Sequence, residues 1–428
     1  MASSFQPLPG FRDFAPRERL LSRYLFEAWA AVAGRYGFSE FEAPIVESAE
    51  LYLKKSGGEL STQLFRFEDQ GGRDVVLRPE LTASLARIAA AQQRDYPKPL
   101  KWFEIGRCFR YEKPQRGRLR EFYQFNADIL GEPSPAADAE LVALAIDVMR
   151  ELGFSDADFT VRLSDREVWR QFAADRGIDD LDAFLQVVDK IERDPEERLT
   201  ARLEPFGVTL DGVRSFIADD ANRSPNLVAI MDDLEARGLG AFVNVDLSVV
   251  RGLAYYTGVV FEVFDSRKAL RSVAGGGRYD SLVSLLTDGG SDLPATGYAM
   301  GDCVIAELIN DTPQALLRLQ AWQQRQAACD VFLVIADEAR RPDALALAAR
   351  LRDGGIAVDF PLTPTKINKQ FKAADQSLAR FALVVGSEYP ELKLKILAAR
   401  TEEAIYPNAD PVEVIRDRLA RPDGPLIA

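Results

Sequence analysis

A chain of 428 residues, 47% hydrophobic and 10% aromatic, holds enough apolar surface for two or three buried cores and is not a disordered polymer. Its formal net charge of -13 excludes a protein that coats nucleic acid over its whole surface, and confines any such contact to a local basic patch. Histidine is absent, which removes Ser-His-Asp and Cys-His catalysis and the commonest transition-metal ligand, so any chemistry must use carboxylates, arginines, amides and hydroxyls.

Three cysteines, Cys108, Cys303 and Cys329, lie far apart with no CxxC pairing. They suggest neither a disulfide framework nor a thiolate zinc site, and all three read as buried or neutral. No metal-ligating cluster is expected in the protein itself. No apolar run approaches a membrane span, and the start Met1-Ala-Ser-Ser-Phe-Gln-Pro lacks the order of a secretory signal, so a cytoplasmic protein is expected.

Along the chain, residues 18–37 read as an amphipathic helix, with Leu20, Leu21, Tyr24, Leu25, Ala28, Trp29 and Val32 at helical spacing. Phe38 to Pro44 reads as an extended run closed by proline. Short strands follow at 63–68, 74–78, 101–110 and 122–131, with Gln70-Gly71-Gly72-Arg73 as a hairpin turn, and then a helix at 137–152. From 165 to 238 the sequence turns charged and helix-prone, the texture of an inserted helical subdomain. Strands return at 241–245 and 259–264, followed by Gly275-Gly276-Gly277 and a helix at 279–286. After a Gln- and Arg-rich stretch at 312–327, strands at 331–335, 357–360 and 381–385 alternate with helices at 343–351, 365–374 and 412–419. This alternation predicts a small α/β domain with a largely parallel sheet.

The densest cationic stretch, Arg107 to Arg120, carries six basic residues against one acid and falls between two strands. A rigid Arg110 beside a basic loop suits a triphosphate or a nucleic-acid end, because planar guanidinium forks match phosphate oxygens. Charge alone leaves a solvated surface loop equally open.

At this point the chain resembles the class II aminoacyl-tRNA synthetases. Phe109-Arg110-Tyr111-Glu112, the basic loop and Arg120-Glu121-Phe122-Tyr123-Gln124 resemble their second signature motif, and Gly37-Phe38 through Pro44 resembles the first, which packs at a dimer interface. Pro9-Gly10-Phe11-Arg12-Asp13, Leu77-Arg78-Pro79-Glu80-Leu81-Thr82, Val250 to Gly258 and Gly275 to Asp280 resemble segments of the histidyl subfamily, and the resemblance covers nearly the whole chain.

The resemblance implies an α+β architecture: a class II antiparallel sheet flanked by helices in residues 1–160 and 240–311, a helical insertion at 161–239, and an α/β anticodon-binding domain at 328–428. It implies activation of histidine with ATP and magnesium, loading onto histidine tRNA, and a homodimer. Arg110 and Arg251 would flank the ATP α-phosphate, and Glu112 would hold the adenine amino group. Glu80, Thr82 and Gln124 would hold the histidine ammonium, with Asp128, Tyr255 and Tyr256 around the imidazole. Lys113, Arg116 and Arg118 would approach the tRNA acceptor end. Lys366, Lys369 and Lys372 are spaced for one helix face, either a solvated face or a contact with the anticodon stem.

The pattern departs at two places. Many histidyl enzymes have an aspartate where this chain has Ala254, and the third motif normally ends Gly-Leu-Glu-Arg, with the arginine on the γ-phosphate. Here the stretch runs Gly301-Asp302-Cys303-Val304. Arg278, Arg116 or a magnesium ion would have to compensate. The loss also keeps open a non-catalytic relative, the histidine-sensing regulatory subunit of ATP phosphoribosyltransferase, or a sensor of uncharged tRNA on the same scaffold.

Overall fold

The computed structural model describes residues 5–54, 61–251, 255–267 and 271–420, in two compact units, Met1–Leu319 and Gln320–Ala428. Ala254 and the Gly252-Leu253 pair before it lie outside the described residues.

The first unit contributes β1 (Ser39–Glu40), β2 (Val46–Ser48), β3 (Phe65–Glu68), β4 (Asp74–Leu77), β5 (Leu100–Phe109), β6 (Glu121–Leu130), β7 (Phe159–Asp165), β8 (Val243–Val245), β9 (Val259–Asp265), β10 (Ala274–Arg278) and β11 (Ala295–Gly301). Eight of these form one sheet in the order β1-β5-β6-β11-β10-β9-β7-β8. Pairing is antiparallel through the middle and parallel only at the two edges, β1 with β5 and β7 with β8. A smaller sheet, β2-β4-β3, stands beside it. The extended run predicted over 38–44 pairs as a strand only at Ser39–Glu40, and Phe41 adds one more bond to Phe103. Beyond it the amide of Ala43 turns to the Glu104 side chain, and Pro44 has no N–H to offer.

β6 explains how the sheet is held. Phe125, Ala127 and Ile129 point to one face while Gln124, Asn126 and Asp128 point to the other. On the apolar side the Pro16–Arg35 helix lays Trp29 flat on Phe125, with ring centroids 5.6 Å apart and planes 9° from parallel. Phe103 and Tyr298 meet Phe125 edge-on. That helix begins two residues earlier than its periodicity suggests, because Pro16 is tolerated in a first turn. It stops where Gly37 takes φ +76°.

Between β7 and β8 the chain forms helices Arg166–Arg176, Leu181–Val188, Glu196–Leu203, Leu210–Ala218 and Pro225–Ala236. Side chains of Asp165, Asp180, Thr209 and Ser224 cap four of them, which is why a charged stretch breaks into short helices rather than one long one. Trp169, Phe172 and Phe184 form their core, and Ser224 Oγ donates to Asp165 Oδ2 at 2.6 Å, tying the last helix to the cap of the first. The helix expected at 279–286 is confined to Leu282–Leu286, since the Tyr279 amide is bonded to the Ala295 carbonyl.

The second unit holds β12 (Val331–Ile335), β13 (Val358–Asp359), β14 (Phe381–Val385), β15 (Leu392–Ile396) and β16 (Thr401–Ile405), in the order β13-β12-β14-β15-β16. The first two pairings are parallel and the last two antiparallel, so a largely parallel sheet is only half right. The β15–β16 hairpin is not legible because its strands carry Lys393, Lys395, Glu402 and Glu403, residues that lower strand propensity.

One buried ion pair joins the segments that frame the site. Arg78 and Glu104, each 3% exposed, lie 2.7 Å apart. Arg78 also donates to the carbonyls of Ala43 and Arg107. Arg78→Ala strips Glu104 of its buried partner and is expected to cost about 3 to 5 kcal/mol, read as a lower midpoint in urea unfolding followed by tryptophan fluorescence.

Candidate active site

The register of the central strands sets out the floor of a site. Glu104, Asn126, Ala299, Gly275 and Glu262 stand opposite one another across five strands, and Trp102, Asp128, Gly297, Gly277 and Val260 form the next row on the same face. Gln124 faces Gly106 and Gly301 one step further on. The polar side chains of β6 and Glu262 of β9 therefore border a strip of nearly bare backbone on β10 and β11. Two of its glycines are needed for close approach. A Cβ on Gly275 would lie 2.1 Å from Arg251 Nη1, and one on Gly297 would lie 1.7 Å from Asp128 Oδ1.

Over this floor opens a cleft of roughly 330 Å³, lined by five arginines, Arg110, Arg118, Arg193, Arg251 and Arg271, and two carboxylates, Glu112 and Glu262. Arg110 is held by the Pro79 carbonyl at 2.9 Å, and its guanidinium lies 5.4 Å from the centre of the Phe122 ring. Arg118 pairs with Glu112. Arg251 donates to Glu262 at 2.6 Å from a backbone with φ +52°, a conformation rare for a residue with a side chain and typical of strained functional positions. Burial opposes the charge on Arg251, but Tyr256 and Glu262 outweigh it and its pKa is raised. The site thus presents an excess of three fixed positive charges in a partly enclosed space, the electrostatics of a polyphosphate site.

Beside the cleft lies a cluster of buried polar groups: Glu80, Thr82, Gln124 and Asp128, none more than 7% exposed, with Tyr256 and Tyr279. Tyr279 Oη donates to Asp128 Oδ1 at 2.6 Å. Burial first, then the neighbouring Asp128 charge, holds the Tyr279 phenol well above its ordinary pKa. Tyr255 is raised for the same first reason, with Glu80 next. Its ring lies 4.8 Å from Tyr256 and 6.0 Å from Tyr279, and the Arg251 guanidinium sits 5.7 Å from the Tyr256 ring. Gln124 Oε1 is buried and has no hydrogen-bond partner among the described residues. The arrangement can grip a small cationic or amide-bearing molecule while a neighbouring anion sits among the arginines.

Of the residues singled out in the sequence, Arg110, Glu112, Arg118, Gln124 and Arg251 line the cleft together, while Glu80, Asp128, Tyr255 and Tyr256 cluster alongside through Tyr279. Lys113 is exposed on the basic loop. Arg116 turns away to Glu307 and Asp311, at 3.0 and 2.9 Å. Arg278 is buried against Asp138, with further bonds to Asp280 and the carbonyls of Glu132 and Ser134. Neither Arg116 nor Arg278 lines the cleft, so the two arginines expected to replace the missing third-motif cation are committed elsewhere. In the second unit Lys366 is the residue preceding the Ile367–Gln376 helix, and Lys366, Lys369 and Lys372 are all exposed. Sequence reasoning passed over Tyr279, Glu262, Arg193 and Arg271. Tyr279 could have been found next to the glycine run, whereas Arg193 sits in a stretch so charged that nothing marks it. Burial pushes the Cys108 thiol up to about 12 and raises Cys303 and Cys329 as well, so all three stay protonated at neutral pH.

An antiparallel sheet with a bare glycine floor beneath an arginine-lined cleft is the catalytic scaffold of a class II aminoacyl-tRNA synthetase. The histidyl-tRNA synthetase family profile matches residues 10–302, and an anticodon binding domain profile matches residues 330–405. The histidine–tRNA ligase of Opitutus terrae is 40% identical over 441 aligned residues, covering 97% of this chain and 99% of that protein. The chloroplastic/mitochondrial histidine–tRNA ligase of Arabidopsis thaliana is 36% identical, covering 92% and 83%. The crystal structure of histidyl-tRNA synthetase from Nostoc superposes with a TM-score of 0.74 over 97% of this chain and all of that one, at 24% identity, a likeness of fold. The chain belongs to the histidyl-tRNA synthetase family.

Because a Cβ at residue 297 collides with Asp128, Gly297→Ala is expected to weaken amino-acid binding about tenfold or more while leaving ATP binding near its original strength, as isothermal titration calorimetry with each ligand would read.

Proposed function

We propose that this chain activates histidine with ATP, forming histidyl-adenylate and pyrophosphate, and then transfers the histidyl group to the 3′ end of histidine tRNA. The observation that carries this reading is the meeting of Arg110 and Arg251 in one cleft, next to the buried Asp128–Tyr279 pair. The histidine carboxylate attacks the α-phosphorus, the bond to the bridging oxygen of the β-phosphate breaks, and pyrophosphate departs with the electron pair. Arg110 and Arg251 stabilise the charge that builds on the pentavalent phosphorus. No general base is needed because the nucleophile is already ionised, which suits a chain without histidine.

Glu80, Thr82 and Gln124 would receive the ammonium group. Asp128, oriented by Tyr279, would hold one imidazole nitrogen, while Tyr255 and Tyr256 close around the ring. A carboxylate and phenols about a ring with both a donor and an acceptor select against other amino acids, since their own polar groups would be left unpaired. Glu112 would take the adenine amino group and Phe122 the base. Magnesium would be carried by the ATP phosphates, with Glu262, which also holds Arg251, as the carboxylate of the cleft not assigned to adenine.

Residues 1–160 and 240–311 would form the catalytic core, with 161–239 as the helical insertion and 328–428 as the anticodon-binding domain. Lys113 would meet the acceptor end directly and Arg116 and Arg118 by exchanging their carboxylate partners for phosphates, and Lys366 and Lys369 would meet the anticodon stem. Ile45, Val46 and Phe67, 44 to 46% exposed around the small sheet, support a symmetric homodimer through that face. No helix among the described residues is long and apolar enough to cross a membrane, and a cytoplasmic site of action is proposed. The match to the anticodon domain and the cationic cleft favour the ligase over a histidine-sensing regulatory subunit.

Histidine-dependent exchange of pyrophosphate into ATP tests the chemistry. Exchange should fall about 100- to 1,000-fold in Arg251→Ala, and Gln124→Ala should raise the KM for histidine. Histidine binding without exchange in the unaltered protein would instead mark a regulatory relative. For the dimer, Ile45→Asp combined with Val46→Asp should shift sedimentation from dimer to monomer, and an unchanged profile would place the interface elsewhere.

A further inference from the structure

The third-motif position where the family carries a phosphate-gripping arginine is Val304, and Val304 lines the same cleft as the five arginines. Two of those arginines are already assigned to the α-phosphate and a third, Arg118, is paired with Glu112. The remaining two are Arg193 and Arg271. Neither makes a side-chain hydrogen bond or ion pair among the described residues. They come from separate parts of the chain: Arg193 follows the Leu181–Val188 helix of the insertion, and Arg271 precedes β10.

We propose that Arg193 and Arg271 together grip the β- and γ-phosphates of ATP, replacing the arginine lost at position 304. This deepens the adenylate-forming reading and rests on it. Arg193 is delivered to the cleft by its own loop, which is fixed to the sheet where Glu192 pairs with Arg162 on β7 at 3.3 Å. Arg162 is held in turn by Asp246 at 3.1 Å, and the Arg193 amide closes a turn on the Lys190 carbonyl. Arg271 sits where burial and the like charges of Arg118 and Arg193 depress its pKa, with only Glu112 opposing them. Cations held close together without carboxylates of their own repel one another until an anion enters between them. A triphosphate tail supplies that anion, whereas a monophosphate does not reach beyond the first pair.

The geometry also explains why the nearer sequence candidates fail: Arg116 is bound to Glu307 and Asp311, and Arg278 to Asp138. A guanidinium on Arg193 further implies that the insertion closes on ATP, so the nucleotide tail and the insertion hold one another in place.

The test measures binding of ATP and of AMP, each with magnesium chloride, by calorimetry to the full-length protein, to Arg193→Ala, to Arg271→Ala, to the double variant and to the double variant carrying Val304→Arg. ATP affinity is expected to fall about tenfold for each single substitution and further in the double variant, with AMP affinity unchanged, which also shows that the variants fold. Val304→Arg should recover part of the ATP affinity. In exchange assays the KM for ATP and for pyrophosphate should rise while that for histidine stays put. Unchanged ATP affinity, or equal losses for ATP and AMP, would overturn the proposal. A protein that prefers ATP through these arginines but never exchanges pyrophosphate would uphold the clamp and remove the histidine-activating reading instead.

Discussion

The structure of the catalytic unit depends on the two-residue alternation of one central strand. β6 must turn Phe125, Ala127 and Ile129 into an aromatic layer under the Pro16–Arg35 helix, and this obliges Gln124, Asn126 and Asp128 to face the opposite side. Burying that second row would be costly if it packed against ordinary side chains. On one side β11 therefore presents Gly297, Ala299 and Gly301, so that the polar row borders backbone there rather than a hydrophobic wall. One face supplies stability and the other becomes a site because the same strand cannot satisfy both demands on one side.

Charge completes what the pleat begins. An acidic protein of net charge -13 concentrates five arginines in one cleft and allows them only two carboxylates. Such a cluster is unfavourable on its own and stores a preference for a polyanion. It is kept in place by fixed partners: Arg110 by a carbonyl, Arg251 by Glu262 on the cleft wall, and the loop of Arg193 by an ion pair on β7. Preorganised cations of this kind need not rearrange as charge builds on phosphorus, which is the main thing such a reaction asks of a protein that has no histidine to move protons.

The remaining modules extend this scheme. The insertion leaves and rejoins the sheet at neighbouring parallel strands, β7 and β8, so it adds helices without disturbing the antiparallel centre. The second unit has its own sheet and its own apolar core, built on β12 and β14.

The sequence by itself determined the elements whose signal is local. Trp29 and its neighbours declare a helix by spacing, β14 is bounded as its apolar run predicts, and the absence of histidine dictates the class of chemistry. Arg110, Glu112, Gln124 and Arg251 were legible as candidates because they stand in recognisable motifs. Tertiary structure alone decided which groups meet. The Tyr279–Asp128 bond spans 151 positions, the Arg78–Glu104 pair ties β5 to the segment that follows β4, and the direction of Arg116 and Arg278 depends on carboxylates that are distant in the chain. Likewise the β15–β16 hairpin is stabilised by pairing with β14 that its charged residues do not advertise. Periodicity and propensity act over a few residues, whereas register and charge pairing are settled only when strands far apart in the sequence lie side by side.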